Sequence, residues 1–326
     1  MMENEIFNSR LDLSLIKEKS LQIKSEISAH VIGQNELIEL LLIALFSDGH
    51  VLLEGVPGVA KTLTAKLLAR TIHATYKRVQ FTPDLMPSDI TGTAVFSVKS
   101  NEFEFRRGPL FGNIILADEI NRSPAKTQAA LFEAMEERQI TVDGTTHMLD
   151  LPFMVLATQN PIEQEGTYRL PEAQLDRFLF KLKVGYPGHE DEVKILKNFH
   201  HRKNKVDFSS VKQLLDPGEI RRIRETVFSI EAEDNLLSYI SHIVNETRNN
   251  PSLFLGASPR ASIAILNTSK ACAALNGRDF ITPEDVKFVC PHVLNHRIIL
   301  TPDKEMEGKT VQSVVDDILQ KVEVPR

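Results

Sequence analysis

The chain predicts an α/β protein, with a mainly parallel sheet flanked by helices and followed by a smaller helical domain. Three observations carry this expectation. A phosphate-binding loop joins a short apolar strand to a helix, and two further apolar runs have the length of strands covered on both faces. After Gly185-Tyr186-Pro187-Gly188, strand signals fade and helix starts multiply. Strands that alternate with helices favour a parallel sheet, because each crossover helix covers one of its faces. The 326 residues exceed what one core ordinarily organises, so two domains are expected, with the linker at residues 185–188.

Residues 10–28 place apolar and charged positions at helical spacing, as an amphipathic lead-in helix would. Val31-Ile32-Gly33-Gln34 reads as a turn, and an apolar helix follows to about Phe46. Val51-Leu52-Leu53 is a buried-strand run, and residues 63–69 are helical. Arg78 to Phe81 suggests a second strand, ending at Thr82-Pro83-Asp84. Within residues 93–106, two β-prone runs at 94–98 and 102–105 flank Lys99-Ser100-Asn101 and read as a hairpin. Ile114-Ile115-Leu116-Ala117 is continuously apolar. Ser123 as N-cap and Pro124 as first helical residue then open a helix running to about Arg138. Within residues 139–149, Asp143-Gly144 is a two-residue hairpin signal. Phe153-Met154-Val155-Leu156-Ala157 is another buried strand. Beyond the linker, Asp216-Pro217-Gly218-Glu219 and Thr282-Pro283-Glu284-Asp285 are cap-then-proline helix openings.

Composition excludes several classes. The formal net charge is −6 with no long Lys/Arg stripe, which argues against a dedicated nucleic-acid binder. The two cysteines, Cys272 and Cys290, have no metal spacing and no disulfide framework, which implies a reduced, cytoplasmic setting. The acidic start, Met1-Met2-Glu3-Asn4-Glu5, does not read as a secretory signal. The most apolar stretch, residues 37–46, carries Glu39 and is too short to span a bilayer, so no membrane insertion is expected. His200-His201-Arg202-Lys203 reads as a solvated surface run rather than a metal site.

The chemistry concentrates in Gly55-Val56-Pro57-Gly58-Val59-Ala60-Lys61-Thr62, which follows G-x-x-x-x-G-K-[ST] except at Ala60. Backbone N–H groups of such a loop wrap phosphates, Lys61 neutralises β and γ oxygens, and the Thr62 hydroxyl holds Mg²⁺. The helix that begins around Leu63 adds the partial positive charge of its N-terminus. Alanine resists positive φ, so Ala60 fits if it already enters the helix with negative φ. Asp118 and Glu119 follow an apolar strand at its carboxyl end, where open parallel sheets bind ligands. Asp118 would organise Mg²⁺ through its water shell, and Glu119 would orient and deprotonate the attacking water.

Thr158-Gln159-Asn160-Pro161 ends the next strand; Asn160 either donates to the water or γ-phosphate, or is simply a strand-end turn. Ser258-Pro259 reads as a helix opening, so Arg260 stands in a first turn where it opposes the macrodipole. A phosphate nearby would offset that, whereas the alternative is a side chain that escapes to solvent. Arg177 follows the last core strand region and Arg122 follows the acidic pair; each is either structural or an arginine finger for a neighbour's site.

Together these residues resemble the MoxR family of AAA+ ATPases over nearly the whole chain. The marks are residues 55–62, Leu116-Ala117-Asp118-Glu119-Ile120-Asn121-Arg122, and Glu133-Ala134-Met135-Glu136-Glu137-Arg138-Gln139. Ala157-Thr158-Gln159-Asn160-Pro161 and Leu170-Pro171-Glu172-Ala173-Gln174-Leu175-Asp176-Arg177-Phe178 complete them. Alanine at the position of Ala60 is common in such loops. The resemblance implies a P-loop AAA+ core over residues 1–186 and an all-α lid over 187–326. It implies that the 55–63 segment, Gln34 and Arg260 bind ATP, with Gln34 near the adenine and Arg260 as sensor 2, in its own or the next subunit's site. Asn160 becomes sensor 1 and Arg177 the arginine finger. The 93–106 hairpin looks like the helix-2 insert and the 139–149 hairpin like the pre-sensor-1 insert. Arg106-Arg107-Gly108-Pro109 departs from the family in its extra charge.

The function expected is Mg²⁺-dependent ATP hydrolysis by a ring, usually hexameric, that remodels a client protein. A von Willebrand factor A domain protein is the expected partner. The rival readings are a DNA-acting ring, a subunit resembling the magnesium chelatase ATPase, and a scaffold that binds ATP with little hydrolysis. Net charge weighs against the first, and the complete set of Glu119, Asn160 and Arg177 against the last.

Overall fold

The computed structural model describes residues 11–56, 58–160, 168, 170–201 and 208–325. Met1 to Glu5, Pro57 of the phosphate loop, Pro161, Arg202 and Lys203 lie outside the described residues. The first half of the chain runs α1 (Ser14–Ser28), α2 (Asn35–Phe46), β1 (Val51–Glu54), α3 (Lys61–Thr71), β2 (Tyr76–Gln80), α4 (Pro87–Thr91), β3 (Gly92–Ser97), β4 (Glu102–Arg107), β5 (Ile114–Asp118), α5 (Ala125–Glu137), β6 (Gln139–Val142) and β7 (Thr145–Met148). It continues with β8 (Met154–Gln159), α6 (Glu172–Leu175), β9 (Phe180–Lys183), α7 (His189–His201), α8 (Pro217–Phe228), α9 (Asp234–Asn249), β10 (Leu253–Leu255), α10 (Pro259–Leu275), α11 (Pro283–Leu294), β11 (Ile299–Leu300), α12 (Pro302–Met306) and α13 (Val311–Lys321).

Packing divides the chain into two units, residues 23–221 and a second built from the segment ending at Gln22 with the segment starting at Arg222. The first unit holds a five-stranded sheet in the order β2-β5-β8-β1-β9. The pairings are all parallel, so the carboxyl ends of the strands share one edge. β5, β8 and β1 are the inner strands, and their apolar residues from Val51 to Leu53, Ile114 to Ala117 and Met154 to Ala157 are fully buried. Each Val, Leu, Ile or Met among them contributes roughly 1.5–3 kcal/mol on burial. α2 is apolar nearly all round and is buried almost along its whole length, as expected of a helix with no solvent face.

Two sequence expectations change here. β9 forms after Arg177, so that arginine precedes the last strand of the sheet rather than following it. β9 was hidden because its lysines, Lys181 and Lys183, interrupt the apolar pattern; as an edge strand it buries only alternate residues, Phe180 and Leu182. The helix after the acidic pair begins one residue later than expected, with Pro124 in extended backbone at the cap position and Ala125 as first helical residue. Gln128 donates its side-chain amide to the carbonyls of Ile120 and Ser123, so a side chain holds the carbonyl that an earlier helix start would have used.

Both hairpins form. β3 pairs with β4 from Gly92↔Arg107 to Ser97↔Glu102, and β6 with β7 around Asp143-Gly144, where both residues adopt positive φ. Positive φ at both central residues matches the right-handed twist of the flanking strands. The two hairpins meet through His147 of β7, whose ring stacks on Phe105 of β4 at 4.4 Å.

The second unit is helical apart from the short antiparallel pair β10–β11. α10 buries a run of small residues, Ala261, Ala264, Ala271, Ala273 and Ala274, which lets α11 approach closely. α11 opens as the cap-then-proline signal indicates, with a capping box between Thr282 and Asp285.

Candidate nucleotide site

The phosphate loop leaves β1 at the carboxyl edge of the sheet and enters α3 at Lys61. A Cβ on Gly55 would come within 2.4 Å of the Val184 carbonyl oxygen, so only glycine lets the loop pass the end of β9. Ala60 has φ 61° and ψ 15°, which corrects the expected negative φ. The residue is the left-handed N-cap of α3, and its carbonyl accepts the first helical bond, from the Thr64 N–H at 2.9 Å. An L-residue held there costs roughly 1–2 kcal/mol. The amides of Lys61, Thr62 and Leu63 therefore fall in the first turn, where N–H groups have no carbonyl partner within the helix. Gly58 is exposed at the tip, Val59 is buried beneath it, and Thr62 is half-buried. Lys61 Nζ donates to the Gly55 carbonyl at 2.6 Å. Burial lowers the Lys61 pKa, and the charges of Asp118 and Glu119 oppose that, so the ammonium lies within the field of both carboxylates.

Strand order explains why these residues meet. β8 lies between β5 and β1, so the residues leaving β8 stand between the acidic pair and the phosphate loop. Thr158 Oγ1 donates to Asp118 Oδ1 at 2.6 Å and accepts the Glu119 N–H at 2.9 Å. Glu119 itself has left-handed backbone, φ 57° and ψ 50°. Such a residue stores roughly 1–3 kcal/mol of strain and persists only where its surroundings over-determine it. Its carboxylate receives the Gln80 side-chain amide at 2.8 Å and faces Arg122 Nε at 3.4 Å. Asp118 Oδ2 receives Arg78 Nη2 at 2.6 Å. On the other side, the Gly55 N–H donates to the Gln159 carbonyl at 3.2 Å, which sets the buried Asn160 next to the start of the loop.

A cleft lies beside Gln34. Val184 touches Gly55, and the following Gly185 carbonyl accepts from Gln34 Nε2 at 3.3 Å. Gln34 stands between Gly33 and Asn35, which with Val31, Ile32 and the α7 residues Asp191 and Lys194 line an open cleft of about 430 Å³. Its lining mixes apolar Val31 and Ile32 with polar Ser28, Asn35 and Asn198.

Arg177 is placed differently. Its guanidinium pairs with Glu136 of α5 and donates to the Phe132 carbonyl at 3.2 Å, in an open cleft of about 250 Å³ that Glu133 and Gln174 also line. Arg260, the second residue of α10, is exposed in the second unit. Among the described residues, no group of three or more His, Cys, Asp or Glu side chains could by itself hold a metal ion. The donors that remain, the Thr62 hydroxyl and the Asp118 carboxylate, are hard oxygens of the kind Mg²⁺ takes alongside phosphate.

Sequence reasoning missed Arg78, Gln80 and Thr158. The signal for the first two was present, since Arg78 and Gln80 flank Val79 at the carboxyl end of an edge strand. Nothing in the sequence, however, says that β2 lies beside β5.

The chain has relatives in sequence and in fold. Residues 50–180 match the ATPase family associated with various cellular activities (AAA), and residues 245–318 match the AAA lid domain. The chaperone MoxR1 of Mycobacterium tuberculosis is 44% identical over 310 residues, spanning 92% of this chain and 81% of that protein. The protein MoxR of Methylorubrum extorquens is 28% identical over 95% of this chain and 96% of its own length. A crystal structure from Cytophaga hutchinsonii, provisionally described as an ATPase, superposes with a TM-score of 0.86 at 42% identity over 96% of this chain and 99% of that one.

Proposed function

The chain belongs to the MoxR family of AAA+ ATPases and is an ATPase, and from that premise we propose that it hydrolyses Mg²⁺-ATP in a ring to remodel a client protein.

 The carrying observation is the fastening of Asp118 and Glu119 by Thr158 beside the loop that presents Lys61. In this reading the amides of α3 and the Lys61 ammonium bind the phosphates and carry charge that develops on them. Glu119 orients the attacking water and takes its proton, and Asn160 donates to the water or the γ-phosphate as sensor 1. Thr62 and Asp118 would hold Mg²⁺, which would neutralise phosphate charge. Gln34 borders the base cleft, and Arg260 serves as sensor 2.

Arg177 is the arginine finger in this reading, reaching a neighbour's nucleotide, so a ring, hexameric in our proposal, is the active form. Its recorded partners support this, because they lie on α5 and not in the subunit's own phosphate loop. The relative named as a chaperone, MoxR1, favours a protein client, with a von Willebrand factor A domain protein as the proposed partner. Among the described residues no helix is long and apolar enough to cross a membrane. We take residues 1–186 as the nucleotide-binding core and 187–326 as the lid in the functional sense; the matched segments, 50–180 and 245–318, fall on either side of that division.

The test is Glu119→Gln. It should bind ATP with near wild-type affinity, release little phosphate, and hold partner and client during affinity capture with ATP. Brisk phosphate release from this variant would refute the role of Glu119, and capture of DNA in place of protein would refute the client class.

A further inference from the structure

Along β2 successive side chains point to opposite faces of the sheet. Val79 enters the core at 7% exposure, so Arg78 and Gln80 share the other face. The parallel register sets Gln80 beside Asp118 and brings both polar residues to the acidic exit of β5. Arg78 closes on Asp118 Oδ2 with two nitrogens, Nη2 at 2.6 Å and Nε at 3.1 Å. The same Nη2 donates to Gln80 Oε1 at 3.1 Å, and Gln80 Nε2 donates to Glu119 Oε2 at 2.8 Å. Asp118, Arg78, Gln80 and Glu119 therefore form one hydrogen-bonded chain across the ends of two strands.

Thr158 takes Oδ1, so both Asp118 oxygens already accept hydrogen bonds, and a guanidinium in contact compensates the single negative charge. The two partners differ in how firmly they are held. The Arg78 side chain is 49% exposed and that of Asp118 only 15%. A half-exposed arginine can leave for water at small cost, whereas the carboxylate is fixed by Thr158.

We propose that Arg78 is a positioning residue that competes with the divalent cation for Asp118 and couples that exchange to Glu119 through Gln80. While Arg78 sits on Oδ2, Asp118 has little net charge to attract a hydrated cation, and Gln80 is held by Arg78 as it holds Glu119. When Arg78 leaves, the Asp118 charge is exposed and Gln80 loses the donor that orients it. This rests on the reading of Asp118 as the carboxylate that serves Mg²⁺.

The experiment measures binding and not turnover. Wild type, Arg78→Gln and Arg78→Lys are loaded with the fluorescent, non-hydrolysable N-methylanthraniloyl-AMP-PNP and titrated with Mg²⁺. Uptake of Mn²⁺ is followed in parallel by the electron paramagnetic resonance of the free ion. Arg78→Gln should lower the half-saturating free Mg²⁺ and Mn²⁺ concentrations about fivefold or more, and Arg78→Lys should lower them about twofold, since lysine keeps the charge but loses the second nitrogen. Unchanged or raised concentrations in Arg78→Gln overturn the proposal; a raised value would mean that Arg78 holds Asp118 ready for the cation. If Arg78→Gln fails to fold by circular dichroism, Arg78→Lys decides, and a wild-type value overturns the proposal. A wild-type protein that binds no nucleotide would instead overturn the nucleotide-site reading itself.

Discussion

The hydroxyl of Thr158 donates to Asp118 Oδ1 at 2.6 Å while accepting the Glu119 N–H at 2.9 Å, so one buried side chain from β8 fastens two consecutive acidic residues leaving β5. Valine has the shape of threonine but neither donates nor accepts. Thr158→Val should leave the Glu119 amide without a partner and cost about 1–3 kcal/mol. The strained Glu119 backbone should relax, and kcat should fall at least tenfold. Thr158→Ser should retain most activity. Thermal denaturation and phosphate release measure the two effects, and a fully active Thr158→Val would refute the link.

Lys61 opposes stability in the service of binding. Its folded pKa lies below the ordinary lysine value because burial disfavours the charged form, with Asp118 and Glu119 opposing the shift. The unfolded chain then binds more protons than the folded one between that lowered pKa and about 10.4, so this group's contribution to stability rises with pH through the window. Below the window the charged side chain opposes folding. Lys61→Met should therefore match or exceed the wild-type melting temperature without nucleotide, and should lose the rise that ATP gives the wild type. Scanning calorimetry with and without ATP tests both parts.

Ala60 holds φ 61° without being glycine. Ala60→Gly relieves roughly 1–2 kcal/mol of left-handed strain and adds about 0.5–1 kcal/mol of unfolded-state entropy. A small net gain of about 0.5 kcal/mol should appear in urea denaturation, with ATP affinity retained. A destabilised Ala60→Gly would show that the methyl group packs favourably enough to outweigh the strain.

Arg177 is partly exposed and pairs with Glu136. An ion pair of this exposure contributes about 0–1 kcal/mol, so Arg177→Ala should melt near the wild type and bind ATP normally. At ring-forming concentrations its turnover should fall on the order of 10³-fold. Unaltered phosphate release in the assembled ring would remove Arg177 from the finger role.

In the second unit, Asp285 is 3% exposed and accepts from Arg278 Nη1 at 2.7 Å, Arg278 Nη2 at 2.6 Å and the Thr282 N–H at 2.8 Å. Asp285→Ala breaks the capping box and strips the Arg278 guanidinium of its carboxylate partner, a loss of about 3 kcal/mol. Denaturation should show it, and a loss under 1 kcal/mol would mean that water replaces the carboxylate.

The sequence alone determined which chemistry this chain carries. The loop from Gly55 to Thr62 and the acidic pair after Ile114 to Ala117 are local patterns, set by residue type and by the strand or helix they adjoin. The hairpins and the capped helices were legible for the same reason, since turn and cap preferences act over a few residues. Tertiary structure alone decided the rest. Strand order put β8 between β5 and β1 and β2 at the edge beside β5, which turned Thr158, Arg78 and Gln80 into partners of Asp118 and Glu119. Those residues lie about 40 positions apart in the chain, and no local propensity reports a contact at that separation. The same limit hid the sign of φ at Ala60. That angle follows from how the loop must turn between the end of β1 and the start of α3, and the identity of the residue only resists it.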